Sequence, residues 1–106
     1  MWEIMMTPKV VKWYESLSED DRYMTDLMLG MLSEQGVRMK MPHSRALGKG
    51  LFELRFMLQR GQINQRLTYA FDTARTAIIL TQFRKTRNNE ASQIRRARKI
   101  LKDFKG

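Results

Sequence analysis

The stretch "LFELRFMLQRGQINQRLTYAFDTARTAIILTQF", Leu51 to Phe83, decides the fold. Its first eight residues place Phe52, Leu54, Phe56 and Leu58 in alternation with Leu51, Glu53, Arg55 and Met57. A period of two is the spacing of a strand with one face in a core. After a "QRGQ" turn, Leu67, Tyr69 and Phe71 face one way and Arg66, Thr68 and Ala70 the other. A "DTAR" turn leads into "TAIILTQF", a β-branched and nearly continuous apolar run of the kind found in central strands. Three strands joined by short turns predict an antiparallel meander. Glu53, Arg55 and Arg66 fall out of phase with the core aromatics, so their side chains are expected on the opposite sheet face.

The flanking segments predict helices. "WEIMM" (2–6) reads as a short first strand, followed by Thr7 and Pro8 as N-cap and first helical residue. Ser18 caps a second helix, acids fill its first turn, and Gly36 ends it. Met24, Leu27, Met28, Met31 and Leu32 lie at helical spacing and are expected on its core face. "VRMKMPHSRALGKG" (37–50) is broken by Pro42 and glycines and reads as a basic loop. Its "GKG" lacks the spacing of a phosphate-binding P-loop. From about Asn89 a final helix is expected, packing through Ala91, Ile94, Ala97, Leu101 and Phe104 and surrounded by Arg95, Arg96, Arg98, Lys99 and Lys102. The predicted class is α+β, in the order β-α-α-β-β-β-α, with an antiparallel sheet packed on helices. Residues 1–106 are expected to form a single domain.

The net charge of +9 is unevenly distributed. Residues 1–34 carry −4, residues 35–83 carry +6, and residues 84–106 carry +7. A fold that joins the last two blocks has one strongly basic face, which favours a polyanion through counterion release. The competing reading is a solvated basic surface without a ligand. The chain has no cysteine and one histidine, His43. It shows no carboxylate cluster and no His/Cys spacing of a metal seat, so neither metal nor cofactor is expected. No apolar run suits a membrane span, and "MWEIMMTPKVV" lacks the layout of a signal peptide. A cytoplasmic protein without a membrane partner is therefore expected.

Four pieces, "MWEIMMTPKVVKWYESL", "LGKGLFELRF", "QRLTYAFD" and "AIILTQFRKTRNNEASQIRRARK", together resemble the HigB-like branch of the RelE/ParE toxin superfamily, to which phage Gp49-like proteins are also related. The resemblance spans nearly the whole chain, and its most specific parts are the Glu-Leu-Arg at 53–55 and the Phe-Arg-Lys at 83–85. It implies a RelE-like microbial RNase toxin fold and a metal-independent mRNA endonuclease, commonly acting on the ribosome. The chemistry implied is attack of a 2′-hydroxyl on the adjacent phosphate. That reaction needs a proton acceptor, cations on the phosphoryl oxygens and a donor for the leaving 5′-oxygen.

By this resemblance Arg66 stabilises the phosphate, while Lys85 acts on transition-state charge or the leaving oxygen, with Arg84 and Arg87 sharing its role. Arg55 is expected to contact phosphate, and Arg95 and Lys49 to bind RNA. Glu53 is either the general base or an ion-pair partner of Arg55 or Arg66, and both readings stand. Some relatives place Tyr or His near the start of the last helix, where this chain reads "NNEASQ" with Ala91. His43 lies outside the family motif and is a surface histidine, or a proton donor if its loop folds over the sheet. The implied partners are mRNA, the ribosome with its rRNA, and a helix-turn-helix antitoxin through which operator DNA is reached. Two other functions remain open at this point: a non-catalytic basic RNA- or DNA-binding protein, and a ParE-type gyrase inhibitor on the same fold.

Overall fold

The computed structural model describes residues 1–105. The elements are β1 (Glu3–Met6), α1 (Pro8–Glu15), α2 (Glu19–Gln35), a single 3₁₀ turn (Gly36–Arg38), β2 (Ser44–Gly48), β3 (Leu51–Leu58), β4 (Ile63–Phe71), β5 (Thr76–Arg84) and α3 (Glu90–Lys105). The sheet order is β1-β5-β4-β3-β2. β2 to β5 run antiparallel as a meander, whereas β1 returns parallel to β5, so the sheet is mixed.

The alternation in β3 and β4 sorts residues to two faces as expected. Leu54, Phe56, Leu58, Leu67 and Tyr69 pack against Val10 of α1 and Met28, Leu29 and Leu32 of α2. On the other face Leu51, Ala70, Ile78 and Leu80 meet Ala97 and Leu101 of α3. α3 therefore covers one half of the second face, and the other half carries the charged residues. The helix packs through a narrower stripe than its periodicity suggests: Ala91 and Phe104 are exposed.

Three local expectations are corrected. Within the basic loop, Ser44–Gly48 forms an edge strand paired with β3 in the register Ser44↔Leu54 and Arg45↔Glu53. "SRALG" has weak strand propensity of its own; tertiary contacts hold it. The buried Ser44 hydroxyl bonds the Tyr69 phenol, and Arg98 of α3 donates to the carbonyls of Leu47 and Gly48. In α2 the buried stripe is Asp21, Thr25, Met28, Leu29 and Leu32, so Met24 and Leu27 lie at 38% and 47% exposure instead of in the core. The polar members of that stripe are satisfied internally: Asp21 accepts the Gln59 N–H at 3.0 Å, and the Thr25 hydroxyl donates to the Asp21 carbonyl at 2.8 Å. Thr7 makes no cap bond; its hydroxyl donates to the Leu80 carbonyl at 3.0 Å and pins the start of α1 to β5. Ser18 does cap α2, accepting the Asp21 N–H at 3.2 Å.

Gly36 ends α2 with φ +53°, and the Trp2 ring lies where a Cβ would stand, with its Nε1 only 1.9 Å from that point. Both the left-handed backbone and this close approach require glycine. The arrangement seats Trp2 against Phe71, with ring centroids 4.6 Å apart, and closes the end of the sheet away from the charged half.

Candidate active site

Cross-strand register builds the site in rows. Arg45 of β2 lies opposite Glu53 of β3, which lies opposite Thr68 of β4, and Thr68 faces Thr81 of β5. The next row places Arg55 directly opposite Arg66, and Arg66 opposite Phe83. One step further, Asn64 accepts the Lys85 backbone N–H at 2.7 Å. Alternation puts Glu53, Arg55, Arg66 and Lys85 on the same face, with Lys85 diagonal to Arg66 at the about 7–8 Å of such neighbours.

Two arginines directly opposite each other repel, and nearby anions offset that cost. Part of the compensation comes from within the protein. Arg66 Nε lies 3.7 Å from Glu53 Oε1 and 4.0 Å from Glu90 Oε2. Arg45 Nη2 lies 3.7 Å from Glu53 Oε1 and 3.6 Å from Glu90 Oε1. These are ion-pair separations, longer than hydrogen bonds. Among the described residues neither Glu53 oxygen nor Arg66 Nε has a hydrogen-bond partner, although all three atoms are buried. Arg66 Nη1 donates to the Gln65 carbonyl at 3.2 Å, which fixes the plane of the guanidinium. Arg55 has no carboxylate within ion-pair distance among the described residues; its Nη1 reaches only the Met41 sulfur at 3.4 Å. The unpartnered donor Arg66 Nε and the uncompensated Arg55 cation in one place suit a site that receives an anion.

Burial sets the protonation behaviour. Glu53 has no exposed surface, and desolvation holds its carboxyl above the ordinary value of 4.5; the Glu90 charge adds to this, while Arg45 and Arg66 oppose it. The Arg66 guanidinium is lowered by burial and then by the Arg55 charge. For Glu53 the folded state holds its proton to higher pH than the unfolded chain. Its contribution to stability is therefore complete below 4.5 and is lost as pH rises through the raised folded value. Urea denaturation of wild type and Glu53→Gln between about pH 4 and about pH 8 is expected to show wild type losing stability relative to the variant as pH climbs. Parallel curves across that range contradict this assignment.

The other expected residues do not all join this group. Arg84 lies across the sheet: it pairs with Gln65, and both line a cavity on the α1/α2 side with Trp13, Leu17 and Ile63. The reason is the bulge between Thr68↔Thr81 and Tyr69↔Ile79, which shifts the alternation of β5 by one residue. Lys49 is exposed at the tip of the β2–β3 hairpin, at the far end of β3 from Met57. Arg87 is exposed in the loop before α3, and Arg95 is exposed on α3. The ion pairing of Glu53 is with Arg45 and Arg66; no pair with Arg55 is formed.

Two members of the site carry no expectation from sequence. Arg45 belongs to the strand that reads as a loop. Glu90 is the first residue of α3, held by Asn89, whose side chain accepts the Thr86 N–H and donates to the Arg84 carbonyl. The signal for Glu90 is an acid in the first turn of a helix that returns over a basic sheet. Arg55, Arg66 and Asn64 also line a cavity of about 470 Å³ together with His43, Pro42 and Met57.

Comparison with known proteins agrees with this architecture. The family described as "Phage derived protein Gp49-like (DUF891)" matches residues 12–102. A crystal structure of the isolated E. coli RelE toxin superposes with TM-score 0.62 at 13% identity, covering 91% of this chain and 97% of that one. A double arginine-to-alanine mutant of E. coli RelE in the free state gives TM-score 0.62 at 11% identity, covering 91% and 92%. No curated protein sequence matches the chain. The chain thus belongs to the phage-derived Gp49-like family, and its fold is similar to that of the E. coli RelE toxin.

Proposed function

We propose that this protein is the toxin of a type II toxin–antitoxin pair and that it is an endoribonuclease cutting mRNA on the ribosome. The observation that carries the reading is the cross-strand pair Arg55–Arg66, with Lys85 diagonal to Arg66 by register and the Glu53/Glu90 carboxylate pair beside it. A phosphodiester bound there supplies the anion that the arginine pair lacks. Charge-assisted donors then meet the phosphoryl oxygens as negative charge grows on them.

The reaction is an internal transesterification. The 2′-oxygen bonds to phosphorus, the bond from phosphorus to the 5′-oxygen breaks, and a 2′,3′-cyclic phosphate and a 5′-hydroxyl result. The Glu53/Glu90 pair takes the 2′-hydroxyl proton. A carboxyl raised above its ordinary range is a better base near neutrality than an exposed one, and Glu90 is the member that reaches solvent. Arg66, held between the two carboxylates, is oriented toward the cavity it lines.

The partner reading rests on charge. A positive strip of this kind suits an antitoxin segment bearing Asp and Glu, here a helix-turn-helix protein through which the pair reaches operator DNA. No described helix is long and apolar enough to cross a membrane. Expression of the protein is expected to arrest growth and to yield discrete mRNA breaks by primer extension, with gyrase supercoiling unaffected. Growth arrest with intact mRNA and inhibited supercoiling supports the gyrase reading instead. RNA binding without any cleavage supports a passive binding protein.

A further inference from the structure

We propose that His43 is the general acid of the cleavage reaction, protonating the 5′-oxygen as it leaves; this deepens, and rests on, the ribonuclease reading above. The chemistry requires a proton donor at that oxygen, and the arginines of the site are poor candidates because a guanidinium gives up its proton only at extreme pH. Lysine and histidine remain. Imidazole is the side chain best matched to proton exchange at physiological pH.

Placement favours His43. It stands immediately before β2 and shares the walls of the 470 Å³ cavity with Arg55 and Arg66. It is not a loose loop residue. Its carbonyl accepts the Arg55 N–H at 2.8 Å, its own N–H donates to the Lys40 carbonyl at 3.2 Å, and the next residue, Ser44, is buried and bonded to Tyr69. The imidazole is exposed, and among the described residues its ring nitrogens have no hydrogen-bond partner. It is thus anchored through its backbone and uncommitted at its side chain, on the rim of the cavity that the arginine pair lines.

The cavity also suits the leaving half of the substrate. Met24, Met28, Phe56 and Met57 give it an apolar wall, and its volume of about 470 Å³ is within the range of small-ligand sites. A base and sugar against this wall, with the phosphate on Arg55 and Arg66, bring the bridging 5′-oxygen toward His43. The imidazolium proton goes to that oxygen, the 2′-hydroxyl proton goes to the carboxylate pair, and solvent restores both groups afterwards.

The test uses ribosomes programmed with a synthetic mRNA cut by the wild-type protein, and the same mRNA carrying sulfur in place of the bridging 5′-oxygen at the cut. A thiolate leaves without protonation. His43→Ala and His43→Gln are expected to lose about 100-fold or more on the oxygen substrate and to recover to within about threefold of wild type on the sulfur substrate. Arg66→Ala is expected to remain impaired on both. A structural role for His43 depresses both substrates equally, and that result overturns the proposal, as does His43→Ala cutting the oxygen substrate at the wild-type rate. If no ribosome-bound mRNA is found that the wild-type protein cuts, the ribonuclease reading itself fails and this assignment with it; cleavage indifferent to His43 removes the assignment alone.

Discussion

Arg66→Ala is expected to lower mRNA cleavage by about 100- to 1,000-fold, the cost of removing a preorganised donor to a developing oxyanion. The variant also leaves Glu53 buried beside Glu90 with only one of its two cations, Arg45, so stability falls by roughly 2–4 kcal/mol. The two effects separate by assaying at a temperature where circular dichroism shows the variant folded. Arg66→Lys sharpens the test. It keeps a positive charge between Glu53 and Glu90 but loses the planar fork that holds the Gln65 carbonyl and, on the ribonuclease reading, a phosphate. Its stability is expected near wild type and its cleavage reduced about tenfold or more. Folded Arg66→Ala cutting mRNA within about threefold of wild type removes Arg66 from the chemistry.

The second large effect is a contrast between neighbours. Lys85→Ala is expected to lose about 10- to 100-fold in cleavage, whereas Arg84→Ala stays within about threefold of wild type. Two adjacent basic residues are equivalent to any account built on charge alone. The sheet distinguishes them, because Lys85 continues the row of Asn64 and the face of Arg66, whereas Arg84 pairs with Gln65 and lines the cavity around Trp13. Equal losses for the two variants point to a diffuse electrostatic surface, and a larger loss for Arg84 places the reacting phosphate on the other side of the sheet.

This contrast also marks the limit of what was legible in the sequence. Strict alternation in β3 and β4 is visible in the residues themselves, so the shared face of Glu53, Arg55 and Arg66 follows from counting by two. Arg84 escapes the same count because the bulge in β5 sits inside an apolar run, "IIL", where a slipped register leaves no trace in residue type. β2 is hidden for a different reason. An edge strand with one exposed side needs little apolar patterning, and Ser44–Gly48 is held by its pairing with β3 and by Tyr69 and Arg98, both distant in sequence. With β2 went Arg45, and with a helix start placed only at about Asn89 went Glu90. In α2 two apolar stripes compete at helical spacing, and the buried one contains Asp21 and Thr25, whose burial depends on a bond to Gln59 that no local pattern announces.

The shape of the site gives these particulars a common cause. A sheet half-covered by α3 leaves three strands to present side chains in rows, and rows of like charge survive only beside buried carboxylates or a bound anion. Glu53 and Glu90 meet part of that need within the protein. The remainder, at Arg55, is met on the proposed ribonuclease reading by a phosphodiester.

The most direct measurement places a single 2′-deoxynucleotide immediately 5′ of the mapped cut in an mRNA bound to ribosomes, and identifies the termini formed on the unmodified mRNA. Internal attack predicts that the deoxy substitution abolishes cleavage at that position and that the unmodified products carry a 2′,3′-cyclic phosphate, or its opened 3′-phosphate, and a 5′-hydroxyl. Cleavage that persists at the deoxy position, with a 3′-hydroxyl and a 5′-phosphate as its ends, contradicts the assembly of Arg55, Arg66, Lys85 and the carboxylate pair around one reacting phosphate.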